Sequence, residues 1–69
     1  MDDRKEKLFD IFKQAVEDER RAQQMYGEAI ALCRDPELIR ILEKLRRDEA
    51  NHEKSLVEQY NRLQEGVEP

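Results

Sequence analysis

The sequence predicts an all-α protein, an antiparallel hairpin of two helices, two copies of which pair into a four-helix bundle. Three observations predict this fold. The 69 residues are 43% charged, with only two glycines and two prolines, and they are rich in the residues of high helix propensity. One strong helix break occurs, near residue 35. On both sides of it, apolar residues recur at helical spacing.

The first helix is predicted over about residues 3–33. Within it only Gly27 weakens the helix, by about 1 kcal/mol relative to alanine, and we interpret this glycine as a place of close packing beside Tyr26. Apolar residues follow an alternating spacing of four and three, and one member of the stripe is replaced by Glu19. The members of this stripe are Leu8, Phe12, Ala15, Ala22, Tyr26, Ala29 and Cys33, with Ile30 beside them.

The second helix is predicted over about residues 36–64, after a turn at 34–35 and before a short tail. Asp35 can cap it, Pro36 suits its first turn, and Glu37 favours its positive end. Its apolar stripe consists of Leu38, Leu42, Leu45, Leu56 and Leu63. Two positions inside the arc of these leucines are polar, namely Glu49 and His52, so the helix presents both to its partner.

These polar residues of the two helices lie at one height. In an antiparallel hairpin that turns at 34–35, residue n lies level with residue 69 − n, so Glu19 lies between Glu49 and His52. The level is about 23 Å from the turn at 1.5 Å per residue. Because removing carboxylates from water costs several kcal/mol, the seam needs a balancing charge. A metal ion, a shared proton or residual water could supply it, and a register-setting role is the plain alternative; we favour the metal.

The number of copies follows from the size of the chain. Two helices of about 30 residues cannot enclose a core, so the hairpin is expected to dimerise. A twofold pair of hairpins brings together four carboxylates, from Glu19 and Glu49, and the two His52 imidazoles. That set suffices for two metal ions bridged by glutamates, as in carboxylate four-helix bundles.

Composition also excludes several classes of protein. The net charge is −4, with acids and bases interspersed, whereas a nucleic-acid partner requires a basic face. No apolar run has the length of a signal peptide or a membrane span, and a cytoplasmic protein is expected. Cys33 is the single cysteine, so neither an internal disulfide nor a cysteine metal knuckle can form.

Three motifs, in this order, resemble the ferritin-like superfamily, especially the rubrerythrin branch and the encapsulated ferritins. They are "ERRAQQMY" from Glu19 to Tyr26, the turn "DPELIRIL", and "DEANHE", which contains Glu49 and His52. The resemblance covers about residues 15–60. The chain departs from rubrerythrins because it has one helix pair instead of two and no rubredoxin-like cysteine knuckles.

The resemblance implies a function and roles for individual residues. Glu19, Glu49 and His52 would bind iron, and Tyr26 would be a hydrogen-bond donor beside the ligands or an electron source. The dimer would hold two iron ions, with manganese or zinc as substitutes, and would oxidise Fe(II) with oxygen or peroxide for iron storage or detoxification. A higher ring of dimers and an encapsulin shell are possible partners. The alternatives are a non-catalytic assembly module and a peroxide reductase with an external electron donor.

Overall fold

The computed structural model describes residues 3–68, and it confirms the all-α hairpin. Helix α1 spans Asp3–Leu32 and helix α2 spans Pro36–Gln64; residues 3–68 contain no strand. The first helix thus ends one residue before its predicted end. The two helices lie antiparallel in a rod of 53 × 14 × 11 Å. Residues 1, 2 and 69 of the predicted unit lie outside the described range.

Local hydrogen bonds set both ends of α2. The Leu38 amide donates to the Asp35 side chain at 3.1 Å, and Pro36 occupies the first turn, where its missing N–H costs nothing. At the other end, the Gly66 amide donates to the Leu63 carbonyl and the Val67 amide to the Arg62 carbonyl, both at 3.2 Å. Gly66 has φ +105°, a conformation that glycine adopts without steric cost.

The space between the helices forms only a thin core. Within residues 3–68, Leu63 alone is buried, with 5% of its surface exposed, because each helix covers just one side of the other. Near the open end of the hairpin, the Phe9 and Tyr60 rings meet edge to face with centroids 5.1 Å apart, a favourable aromatic geometry. Within the described part of the chain, no helix combines the length and apolar character needed to cross a membrane.

One side of the hairpin exposes large apolar side chains, and we call it the open face. It carries Ile11 and Met25 of α1 and Leu38, Ile41 and Leu45 of α2, all of which are exposed. At 100° per residue they fall within an arc of about 60° on each helix. The sequence predicted that Leu38 and Leu45 would pack in the seam. That prediction is wrong for the single hairpin, where Leu38 remains 46% exposed and Leu45 37% exposed.

Candidate metal centre

Three ionisable side chains meet near the middle of the hairpin. The Nδ1 atom of His52 lies 3.6 Å from Oε2 of Glu19 on the other helix and 3.7 Å from Oε2 of Glu49 on its own. One ligand atom from each residue lies within 4.8 Å of the others. The structure therefore brings together the three residues that the spacing predicted at one height, and we call them the triad.

Helix geometry places each member of the triad. Glu49 and His52 are three residues apart in α2, so their side chains project from the same side of that helix. Glu19 interrupts the apolar stripe of α1 about halfway along its length. No loop contributes to the site, so its geometry depends on how the two helices are aligned.

The triad is shielded unevenly. The side chains of Glu19 and Glu49 are 22% and 23% exposed, whereas that of His52 is 59% exposed. The helical spacing predicts that all three are buried in the seam; in the single chain that prediction is wrong, because the two glutamates are only half-buried and His52 is exposed. At 100° per residue, His52 lies on the edge of the seam next to the open face. A second layer over that face is needed to shield the imidazole.

The two carboxylates disfavour each other's ionised form. The pKa of Glu19 is raised, first because the neighbouring Glu49 carboxyl favours a proton shared between the two groups, and further by burial and by the charge of Glu49; His52 opposes the shift. Within the described residues, Oε2 of Glu19 is shielded from solvent and has no hydrogen-bond partner. A shielded carboxylate oxygen without a partner costs free energy, so this atom is available to a proton or a cation.

The triad fits a metal ion in chemistry and in spacing. Carboxylate oxygens and imidazole nitrogen are ligands of iron, manganese and zinc. Ligand atoms at roughly 2.1 Å from one ion lie about 3.0–3.5 Å from each other, and the two distances to His52 Nδ1, 3.6 and 3.7 Å, need to close by only a few tenths of an ångström. One hairpin supplies three ligand residues, so the coordination shell is incomplete without further donors.

The structure gives Tyr26 and the two aspartates next to the triad, Asp18 and Asp48, a smaller part in the site. Tyr26 is half-buried on α1, about 10 Å along the axis from Glu19, and within the described residues its hydroxyl makes no hydrogen bond to the triad; its role stays a prediction. Asp18 accepts hydrogen bonds from Gln14 and Arg21. Asp48 pairs with Lys44 at 3.0 Å. Both acids are thus engaged on the surface of their own helices.

The two remaining sequence features lie away from the ligands. Cys33 is a free, half-buried thiol beside the turn, about 21 Å along α1 from Glu19. A methyl group added at Gly27 would lie 3.6 Å from the Arg46 guanidinium, an ordinary contact. The hairpin therefore leaves room for a side chain at Gly27, and the predicted close packing at this glycine is absent from the single chain.

Sequence reasoning missed a polar cluster next to the triad. The Glu53 carboxylate accepts hydrogen bonds from Arg20 at 3.0 Å and from Gln23 at 2.7 Å. These two donors, Gln23 first, lower the pKa of Glu53. In the sequence Glu53 looks like any charge on a solvated helix. One feature of the sequence could have predicted the contact: Glu53 comes four residues after Glu49 and so lies on the side of α2 that faces α1.

Comparisons of the chain with protein-family models, with curated proteins and with solved structures found no match. The resemblance to ferritin-like proteins therefore rests on the three motifs alone and stays a prediction.

Proposed function

We propose that two hairpins pair through their open faces into a four-helix bundle whose centre binds two metal ions, and that the protein is a ferroxidase. The observation that carries the proposal is the triad: two carboxylates and an imidazole within 4.8 Å, with an unpartnered, shielded oxygen on Glu19. A twofold partner doubles the ligands to four carboxylates and two imidazoles. Iron is the expected metal, and manganese or zinc would suit the same ligands.

The surface area of the hairpin supports pairing. The chain exposes 5490 Å², whereas a compact monomer of 8.3 kDa exposes about 4600 Å². The excess, about 900 Å², is close to the roughly 800 Å² that each partner buries in a stable interface. The exposed apolar side chains of the open face supply the surface that pairing would cover.

The two ends of the open face differ: one exposes apolar side chains and the other contains a hollow. Near the turn, Leu38, Ile41 and Leu45 are exposed apolar side chains. Near the other end, a hollow of about 190 Å³ is lined by residues of both helices, Leu8, Phe12, Gln59, Arg62, Leu63, Val67 and Glu68. Leu38 and Leu63 lie about 18 and 20 Å from the level of residue 50, on opposite sides of it. A twofold axis at the triad, perpendicular to the rod, would therefore bring the exposed apolar side chains of each copy level with the partner's hollow.

The residues of the triad suit the oxidation of Fe(II). Carboxylates that bridge two ions stabilise the positive charge that grows as each ion loses an electron. Two Fe(II) give two electrons to one oxygen molecule, which takes up two protons and leaves as hydrogen peroxide, and two Fe(III) remain. Glu19 and Glu49 would hold the ions close together, and His52 would complete the set with nitrogen. The proposed location is the cytoplasm, either free or inside an encapsulin compartment.

The test is aerobic oxidation of Fe(II), followed by the absorbance of Fe(III). Wild type should oxidise Fe(II) much faster than buffer, and Glu49→Ala should fall to the buffer rate because it removes two of the four carboxylates from the dimer. The matched control is Glu58→Ala, which changes an exposed glutamate of the same helix. This variant should behave as wild type. Equal rates for wild type and Glu49→Ala would rule out the ferroxidase.

A second candidate function is a metal-independent assembly module, which the exposed apolar face favours by itself. In that case the purified protein would contain little metal, and its dimer would persist unchanged in a chelator. Metal analysis of the purified dimer separates the two functions, since a ferroxidase dimer should bind about two ions.

A further inference from the structure

Both oxygens of the Glu53 carboxylate are held from the opposite helix. Oε2 accepts from Nε of Arg20 at 3.0 Å, and Oε1 accepts from Nε2 of Gln23 at 2.7 Å. The Glu53 side chain is 24% exposed, whereas that of Arg20 is 64% exposed, so water reaches the ion pair from the Arg20 side and the Gln23 bond is the more shielded of the two. Charge-assisted hydrogen bonds of this length are stronger than neutral ones.

These bonds join the two helical turns that carry the triad. Arg20 follows Glu19 directly, and Nε2 of Gln23 also donates to the backbone carbonyl of Glu19 at 3.3 Å. Glu53 follows His52 directly and stands four residues after Glu49. The contact thus connects the backbone at Glu19 with the turn of α2 that supplies the other two triad residues.

The triad needs such a connection because apolar packing alone aligns helices loosely. The leucine stripe repeats along α2, and hydrophobic contact has no direction, so a slip of one turn, about 5.4 Å, would preserve much of the apolar packing. Metal ligands must be held to within about 0.5 Å. A two-point hydrogen bond from Glu53 to Arg20 and Gln23 has a direction and a length, and a slip of that size would break both bonds.

We propose that Glu53 is a positioning residue for the metal site: through Arg20 and Gln23 it holds the Glu19 turn of α1 at the height of Glu49 and His52. The proposal rests on the proposed function, since it concerns the same metal site. It assigns Glu53 no contact with the ion, because both its oxygens are engaged by α1.

The test is a titration with Co(II), whose visible absorption reports the geometry of its ligands, on wild type, Glu53→Ala and the control Glu58→Ala. Alanine favours the helix, so α2 should persist. Glu53→Ala should bind Co(II) about 10- to 100-fold more weakly and with altered absorption bands, whereas Glu58→Ala should match wild type. The exchanged pair Arg20→Glu with Glu53→Arg restores an ion pair between the helices and should recover most of the lost affinity.

A second measurement separates positioning from general loss of structure. The Phe9 and Tyr60 rings touch across the helices, so a nuclear Overhauser effect between them reports an intact hairpin about 10 Å along the axis from Glu53. This signal should survive in Glu53→Ala while Co(II) affinity falls. The positioning role would be refuted if Glu53→Ala kept the wild-type Co(II) affinity and absorption bands. It would also be refuted if the signal between the two rings disappeared together with the Co(II) affinity. Failure of the wild type to bind Co(II) or Fe(II) would instead refute the metal site, and the role of Glu53 there with it.

Discussion

Glu19 and His52 face each other across the hairpin, with Oε2 and Nδ1 3.6 Å apart. This distance is too long for a hydrogen bond and close to the spacing of two ligands on one ion. Oε2 of Glu49 lies 3.7 Å from the same Nδ1 atom. Within the described residues, this leaves Oε2 of Glu19 shielded and without a hydrogen-bond partner.

Glu19→Gln is expected to stabilise the metal-free protein at neutral pH while weakening metal binding. Because the pKa of Glu19 is raised above its ordinary value of 4.5, the folded chain binds this proton more tightly than the unfolded chain does. The stabilisation that this proton gives the folded chain is fully present below about pH 4.5. It is lost as the pH rises through the pKa of Glu19 in the folded chain. Thermal unfolding in a chelator should therefore show a higher melting temperature for Glu19→Gln than for wild type near pH 7. A difference that does not shrink toward pH 4 would contradict this cause.

Metal binding and dimer formation are expected to be coupled. A dimer without metal places four carboxylates at one level, and ions that bind only the dimer stabilise it by mass action. In sedimentation experiments at a protein concentration where both species are present, a chelator or acid should move the population toward monomer, and Fe(II) under nitrogen should move it back. Sedimentation that responds to neither treatment would argue for the metal-independent assembly module.

Leu45→Glu is expected to break the dimer without unfolding the hairpin. Leu45 is exposed on the open face, so the change costs little in a single chain, whereas an unpaired buried charge costs several kcal/mol in the dimer. The dissociation constant should rise by at least about tenfold, which corresponds to roughly 1.4 kcal/mol, and Fe(II) oxidation should fall with it. Asn51→Glu adds the same charge at an exposed position and should leave both unchanged. A Leu45→Glu protein with the wild-type dissociation constant would exclude the open face as the interface.

Gly27→Ala is expected to stabilise the protein. The new methyl group would lie 3.6 Å from the Arg46 side chain, without a clash, and alanine favours a helix over glycine by about 1 kcal/mol. For a chain of this size the gain corresponds to a rise of roughly 4–8 °C in melting temperature, compared at equal protein concentration. A lower melting temperature would indicate that another chain approaches Gly27 closely in the assembled protein.

Much of the fold was predictable because its signals are local. The bond from the Leu38 amide to the Asp35 side chain involves residues three apart, and Pro36 lies next to them. The convergence of the triad was predictable for a related reason. Once a short turn folds two regular helices back, the rise of 1.5 Å per residue sets the height of every residue.

The Glu53 contact was not predictable by that arithmetic. Glu53 lies level with residue 16, and Arg20 is about 6 Å further along the axis. Helical side chains slope toward the N-terminus of their own helix, so those of α2 lean toward the turn and those of α1 away from it. The long side chains of Glu53 and Arg20 close the gap in this way. The heights of the Cα atoms along the axis do not show the direction in which each side chain slopes.

The sequence by itself determined two helices, the turn between them and the shared height of Glu19, Glu49 and His52, since helix caps and helical rise depend on neighbouring residues alone. Only the tertiary structure decided how each helix is rotated about its axis. That rotation leaves His52 at the edge of the seam and turns Glu53 toward Arg20 and Gln23. The physical reason is that rotation is set by how all side chains of both helices pack together, and the apolar stripes are wide enough to allow more than one angle.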